Sequence, residues 1–135
     1  MGELSRAIRY LRANQALGLR LRIGGEIRIT AFIDCSFACH MDKKSHTGCE
    51  IFIGDFGPVY TKSSRQIVNC KSAAEAELVG AVNLMGVYLW IRKYLISRDI
   101  EFEESKVFLQ QDNQAVLSWI KSGKPTDLNS RHLVV

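Results

Sequence analysis

The sequence lacks the short motifs that identify several common catalytic sites. It contains no G-x-S-x-G nucleophile elbow, no phosphate-binding P-loop, no H-E-x-x-H metal motif and no G-x-G-x-x-G dinucleotide fingerprint. It also has no low-complexity tract and no convincing internal repeat. These absences argue against an α/β-hydrolase, a P-loop nucleotide hydrolase, a zinc peptidase, a dinucleotide-dependent oxidoreductase and a repeat protein.

No apolar run is long enough to predict a membrane span. The most apolar stretch, residues 78–91, is interrupted by Asn83 and falls short of the ~20 residues that a transmembrane helix needs. We therefore expect it to form a buried helix. Residues 2–6 lead into no apolar signal core, and Arg6 stands where N-myristoylation requires Ser or Thr. We expect an intracellular protein with no membrane partner.

The four cysteines give only a faint indication of a metal site. Because nothing suggests secretion, we expect free thiols. Cys35, Cys39 and His40 have residue types that bind zinc, but no second Cys/His pair follows at the spacing of a zinc site. We interpret the cysteines as small core or surface side chains.

The charge balance is weakly basic. Lys and Arg total 18 against 14 acidic residues, for a formal net charge of +4, and the N-terminal part is the most basic. This excess permits contact with a polyanion without requiring it. The alternative interpretation is an ordinary solvated surface.

The hydrophobic pattern predicts an α/β protein (a mixed, α+β sheet). Leu4, Ile8 and Leu11 recur at helical spacing, and two alternating runs at 19–23 and 27–34 predict strands joined by a Gly24-Gly25 turn. The further predicted elements are strands at 49–53, from 59 and from 67, a helix from 73 to about 95, a strand at 107–109 and a helix at 115–120. Hairpins followed by a β-α crossover imply a mixed sheet with helices packed on its faces.

The long helix has the clearest start in the sequence. Ser72 and Glu75 stand at the spacing of a capping box, in which the hydroxyl and the carboxylate cap the first turn. The predicted apolar stripe along this helix consists of Leu78, Val82, Met85 and Leu89. Small side chains near Glu77 would allow a sheet or a ligand to approach closely; these are Ala73, Gly80 and Ala81.

Three carboxylates are candidates for a metal site. Asp34 is predicted at a strand end, Glu77 on the long helix, and Asp112 between a strand and a helix. Each also has a structural explanation: a solvated strand terminus, a favourable helix-dipole interaction and an N-cap, respectively. Together they provide hard oxygen ligands that suit Mg²⁺ or Mn²⁺, and a pair of such ions ~3.5–4 Å apart catalyses displacement at phosphorus.

The chain resembles the ribonuclease H region of copia-type retrotransposon polyproteins, along nearly its whole length and in order. The matching stretches are Arg9-Tyr10-Leu11-Arg12, Gly18-Leu19, Phe32-Ile33-Asp34-Cys35-Ser36-Phe37-Ala38, Lys43-Lys44-Ser45-His46-Thr47-Gly48, Ser72-Ala73-Ala74-Glu75-Ala76-Glu77-Leu78, Leu89-Trp90-Ile91-Arg92 and Gln111-Asp112-Asn113-Gln114-Ala115. The resemblance implies a ribonuclease H-like fold over 19–135, and residues 1–18 look like the end of the reverse transcriptase segment.

The resemblance also implies an activity and its residues. Asp34, Glu77 and Asp112 match the first three catalytic, metal-binding carboxylates, and two Mg²⁺ or Mn²⁺ ions are expected. The implied partners are an RNA–DNA hybrid and the reverse transcriptase portion of the same polyprotein, in the cytoplasm, a retrotransposon particle or the nucleus. The expected nucleic-acid contacts are Ser36, Asn113, Gln114, Arg131 and His132.

The sequence departs from the family pattern at its C-terminal end. The pattern continues past the basic-His pair, here Arg131-His132, into a last strand and helix that carry a fourth Asp. We therefore expect a C-terminally truncated domain, and two interpretations stay open. One is a ribonuclease that hydrolyses the RNA strand of a hybrid. The other is a catalytically inactive remnant that binds nucleic acid or a partner. An integrase-like reaction is disfavoured, because integrases place their Glu last.

Overall fold

The computed structural model describes residues 2–22, 27–102, 107–110 and 113–123, which contain three helices and four strands. The elements of these ranges are α1 (Glu3–Ala13), β1 (Ile29–Ser36), β2 (His46–Ile53), β3 (Tyr60–Arg65), α2 (Ala73–Ser97), β4 (Val107–Gln110) and α3 (Gln114–Ser122). The predicted α/β class is confirmed.

The four strands form one mixed sheet in the order β3-β2-β1-β4. β1 pairs antiparallel with β2, from Ile29↔Ile53 to Ser36↔His46, and β2 pairs antiparallel with β3. β4 pairs parallel with β1, from Ile29↔Val107 to Phe32↔Gln110. A parallel neighbour needs a long crossover connection, and α2 lies within that connection.

One face of the sheet packs against α2. Side chains alternate along a strand, so Ile29, Ala31 and Ile33 of β1 share one face, and all three are buried. Cys49 and Ile51 of β2 join them. The helix supplies the facing side chains, which are Ala81, Leu84, Ile91 and Leu95. This cluster is the main hydrophobic core of the described residues.

The start of α2 was predicted correctly, but its buried side was not. Ser72 is the N-cap, and its hydroxyl accepts a hydrogen bond from the backbone N–H of Glu75 at 3.1 Å. Of the predicted stripe, only Leu78 is buried, whereas the other three members, Val82, Met85 and Leu89, are exposed. The helix is apolar on most of its circumference, so the sequence alone did not indicate which side faces the sheet.

The last described helix, α3, packs beside α2 through a small second cluster. Val116 and Trp119 are buried there against Leu78. The helix ends at Gly123, whose φ of +71° is in the left-handed region that glycine adopts without a steric penalty. From the sequence, Gly123, Lys124 and Pro125 predict the stop of a helix at 115–120. The helix and its stop at Gly123 are confirmed, whereas Lys124 and Pro125 lie outside the described residues.

Two predicted strands are wrong within the described residues. Residues 19–22 form no strand, and one backbone bond, from Gly57 N–H to the Arg20 carbonyl at 3.0 Å, connects this segment to the β2–β3 turn. Residues 67–68 form a bend, with Ile67 88% exposed. In both segments alternating or apolar residues were present without a neighbouring strand to pair with. The predicted Gly24-Gly25 turn lies outside the described residues.

The first helix forms as predicted but buries nothing. α1 has its apolar residues at helical spacing, and Leu4 and Leu11 are about two-thirds or more exposed. In the described part of the chain, one helix, α2, is long and apolar enough to span a membrane. However, α2 is partly buried on the sheet, as the core helix of a soluble protein is.

Candidate active site

Asp34 lies near the end of the central strand β1 and is exposed. It follows the buried Ile33, so strand alternation directs it away from the core that α2 covers. The strand continues to Ser36, two residues beyond the strand end predicted from the sequence. An exposed carboxylate at this position carries no desolvation penalty and is accessible to a solvated ligand.

Beside Asp34, one backbone N–H of β1 is hydrogen-bonded to a side chain instead of to a neighbouring strand. The described pairing with β4 ends at Phe32↔Gln110, so β1 extends past it. The backbone N–H of Cys35 donates a hydrogen bond to Oε1 of Glu77 at 3.0 Å. The Glu77 carboxylate therefore lies against the peptide group that joins Asp34 to Cys35.

Glu77 and Glu75 are both buried in the first turns of α2 but have different contacts. Oε2 of Glu75 accepts a hydrogen bond from the backbone N–H of Lys71 at 2.7 Å, one residue upstream of the N-cap. Glu75 thus has a capping role, as the sequence indicated. Glu77, only 5% exposed, contacts β1 instead. Of the two glutamates, Glu77 is therefore the one whose carboxylate contacts β1, at the residue after Asp34.

A glycine allows this close approach of helix and strand. A Cβ atom added at Gly80 would lie 2.6 Å from Cys35 Sγ and 3.0 Å from Ile33 Cδ1. Small residues around Glu77 were predicted to allow a close approach, and at Gly80 packing requires that no side chain be present. The close approach is what brings Glu77 within hydrogen-bond distance of β1.

The Cys35 thiol reports the electrostatics of this site. Its pKa is raised from 9.0 to about 12, first by burial and then by the negative charges of Glu77 and Asp34, while a hydrogen bond with Thr47 acts in the opposite direction. The charges of both carboxylates thus act on this one thiol. The thiol stays protonated at neutral pH, so it is not suited to act as a nucleophile or a metal ligand.

The third predicted carboxylate, Asp112, lies outside the described residues, as do Arg131 and His132. Asn113 is described and is the N-cap of α3: its Oδ1 accepts hydrogen bonds from the backbone N–H groups of Ala115 and Val116, at 3.0 and 3.3 Å. The capping role that the sequence offered to Asp112 therefore belongs to Asn113. The other two predicted nucleic-acid contacts, Ser36 and Gln114, are exposed.

The buried hydrogen bonds of Gln66 were not predicted from the sequence. Gln66, 4% exposed, follows β3 and contacts both β2 and the first turn of α2. Its signal would have been a polar amide directly after the end of β3, but amides are common in loops. The structure was needed to show that this amide is buried.

The donor set beside β1 suits a hard divalent cation. Asp34 and Glu77 supply carboxylate oxygens, which Mg²⁺ and Mn²⁺ prefer to nitrogen or sulfur. Within residues 2–22, 27–102, 107–110 and 113–123, no group of three or more Cys, His, Asp and Glu side chains has the arrangement of a metal site. The predicted set has one member, Asp112, beyond those ranges.

A histidine pair lies at the start of β2, away from the core. Nε2 of His40 and Nδ1 of His46 are 3.0 Å apart, and Nε2 of His46 is 2.8 Å from the Ser63 hydroxyl. These bonds connect the loop before β2 to β3. They give both histidines a structural role in a polar part of the molecule.

The chain was compared with protein-family models and with solved structures. No family model matches it, and no solved structure matches it.

Proposed function

We propose that this chain is a ribonuclease H-like domain that hydrolyses the RNA strand of an RNA–DNA hybrid. The observation that carries the proposal is the hydrogen bond between Glu77 and the backbone N–H of Cys35, the residue after Asp34. The bond places the Glu77 carboxylate against the peptide group that joins Asp34 to Cys35, although residues 34 and 77 are distant in sequence. The family resemblance implies that Asp34 and Glu77 are metal-binding carboxylates.

The order of the strands supports the proposed fold. An antiparallel meander of three strands is followed by a helix and then by a strand parallel to β1. The residues that follow two parallel strands lie at the same edge of a sheet, and α/β proteins bind their ligands at this edge. Asp112 comes two residues after Gln110, the last residue of β4, and Asp34 two residues after Phe32, with which Gln110 pairs.

The residues have distinct proposed roles. Asp34 is exposed and would hold both ions, whereas Glu77 is oriented by Cys35 and would complete the coordination of one, with Asp112 completing the other. When bound, the two ions would activate the attacking water and stabilise the leaving oxygen, which gives a 3′ hydroxyl and a 5′ phosphate. The hydrogen bond to Cys35 fixes Glu77 before any ligand arrives.

Substrate contacts are proposed at exposed polar residues near the same edge. Ser36 ends β1, two residues after Asp34, and Gln114 begins α3. Hybrid duplexes are recognised through phosphates, 2′ hydroxyls and helix shape rather than base edges. The proposed partners are therefore the hybrid itself and the reverse transcriptase portion of the same polyprotein, at an intracellular site.

Cleavage of a labelled hybrid tests the proposal. The purified chain is incubated with Mg²⁺ and an RNA–DNA hybrid, alongside Asp34→Asn, Asp112→Asn and the control Asp55→Asn. Asp55 is also an exposed Asp, but it pairs with Arg28 at the β2–β3 turn. We expect cleavage by the wild type and by Asp55→Asn, and none by the other two. Cleavage that is equal in all four proteins would exclude the assigned site.

Calorimetric titration of Mg²⁺ separates metal binding from cleavage. We expect heat of binding for the wild type and for Asp55→Asn, and its loss in Asp34→Asn. If the wild type binds metal and hybrid without cutting, the chain is the inactive, nucleic-acid-binding remnant that the sequence left open. If it binds neither, the proposed function is wrong.

A further inference from the structure

Gln66 follows β3 and places a buried side-chain amide between β2 and the first turn of α2. Its Nε2 donates to Thr47 Oγ1 of β2 at 2.9 Å and to the carbonyl oxygen of Ala76 in α2 at 2.8 Å. Its Oε1 accepts from the Cys70 thiol at 3.1 Å. Its backbone N–H donates to the Ser45 carbonyl at 2.8 Å, which anchors the residue to the start of β2. Both ends of the amide are thus engaged.

The contact of Gln66 with α2 lies next to Glu77, the proposed metal ligand. Ala76 immediately precedes Glu77, and its carbonyl lies in the first turn of the helix. Thr47, the other acceptor, pairs with Cys35 in the sheet register, and Cys35 donates to Glu77. A closed circuit of contacts therefore runs from Glu77 through Cys35, Thr47, Gln66 and Ala76 back to Glu77.

We propose that Gln66 is a positioning residue for the Glu77 carboxylate, which rests on the proposed role of Glu77 as a metal ligand. The amide holds the first turn of α2 against β2 at the level of Cys35, so that Oε1 of Glu77 reaches the Cys35 N–H. A buried amide needs all of its hydrogen bonds, because each unsatisfied group carries a desolvation penalty. The geometry is thus directional, unlike that of an apolar side chain of the same length.

The test compares Gln66→Met with Ser72→Ala in the full chain. Met has a similar length and packs in the same space without hydrogen bonds. Ser72→Ala removes the N-cap bond of the same helix and lowers its stability, but leaves the Gln66 contacts in place. Two quantities are measured: hydrogen-exchange protection of the Cys35 amide without metal, and the Mn²⁺ dissociation constant.

We expect Gln66→Met to reduce the Cys35 amide protection and to weaken Mn²⁺ binding by about 10-fold or more, the scale seen when a residue that orients a metal ligand is removed. Ser72→Ala should lower the melting temperature and leave both quantities near the wild-type values. Thr47→Val removes one acceptor of the Gln66 amide, so it should change both quantities in the same direction as Gln66→Met but less strongly. If Gln66→Met does not fold, Thr47→Val provides the test of the positioning role.

The inference is overturned if Gln66→Met folds and keeps wild-type values for both quantities, or if Ser72→Ala changes both as much as Gln66→Met does. It is also overturned if Gln66→Met does not fold and Thr47→Val changes neither quantity. Should the wild type bind no Mn²⁺, the proposed function fails. The Cys35 amide protection then still shows, by itself, whether Gln66 positions the Glu77 carboxylate.

Discussion

The carboxylate of Glu77 and the backbone N–H of Cys35 are joined by a 3.0 Å hydrogen bond between α2 and β1. The bond has a structural use, because it satisfies a backbone donor beyond the end of the described β4 pairing. It also has the proposed functional use of orienting a metal ligand. Substitutions can separate these two uses.

Glu77→Ala should destabilise the fold, whereas Glu77→Gln should mainly affect metal binding. Alanine leaves the Cys35 N–H without its acceptor, and an unsatisfied buried donor costs about 1–3 kcal/mol. Glutamine keeps an oxygen acceptor but loses the negative charge, so we expect a smaller loss of unfolding free energy and weaker Mg²⁺ binding. Urea denaturation and calorimetric titration measure the two effects. Equal destabilisation by both variants would contradict this assignment.

Gly80→Ala should destabilise the protein, and Gly86→Ala should not. A methyl group at Gly80 would lie 2.6 Å from Cys35 Sγ, so α2 must move away from β1 at a cost of about 1–3 kcal/mol. Gly86 lies in the same helix with nothing within 4 Å of an added Cβ, and alanine there should stabilise by about 0.5–1 kcal/mol. Thermal denaturation of both variants provides the comparison. Stabilisation by Gly80→Ala would refute the close helix–strand packing.

The unfolding free energy should fall as pH rises above 9. The folded state raises the pKa of Cys35 from 9.0 to about 12, chiefly through burial, so between these values the unfolded chain loses this proton first. The contribution is fully present below pH 9.0 and is lost as pH rises towards about 12. Cys35→Ser should therefore show a shallower decline than the wild type, in urea denaturation at successive pH values. Cys39→Ser, at an exposed cysteine, is the matched control and should follow the wild type.

Thiol labelling should distinguish the four cysteines in the native state. Cys39 is exposed, whereas Cys49 and Cys70 are buried, and burial raises the pKa of both buried thiols. The thiolate is the reactive form, so we expect one fast-labelling cysteine and slow labelling of the other three. Cys39→Ser should remove the fast phase. A fast phase that persists in this variant would show that the core opens readily.

Local sequence signals predicted much of the secondary structure, but not which strands pair or which side of α2 is buried. The capping box marked the start of α2, and Gly123 marked the end of α3, because such signals act within one helical turn. The strand predicted at 19–23 was wrong over the described 19–22, because a strand depends on a partner that its own sequence does not specify. The buried side of α2 was mispredicted for a related reason: Leu and Val occur all around this helix.

The candidate site was predictable in part. The resemblance singled out Asp34 and Glu77, and the structure brings Glu77 to the residue after Asp34. Asp112 remains a prediction, since it lies outside the described residues. Gln66 was missed because its importance comes from contacts with Thr47 and Ala76, on two other elements, and no local pattern encodes such contacts.

The parallel pairing of β1 with β4 has a consequence for the order of folding. The β1–β2–β3 meander joins neighbours in the chain and can form early, whereas β4 is synthesised only after the whole of α2. Pairings between distant segments form late because a long loop must close first. During synthesis on the ribosome, the edge of β1 that pairs with β4 therefore stays unpaired until β4 has been made. In that interval this edge is exposed to pairing with another polypeptide.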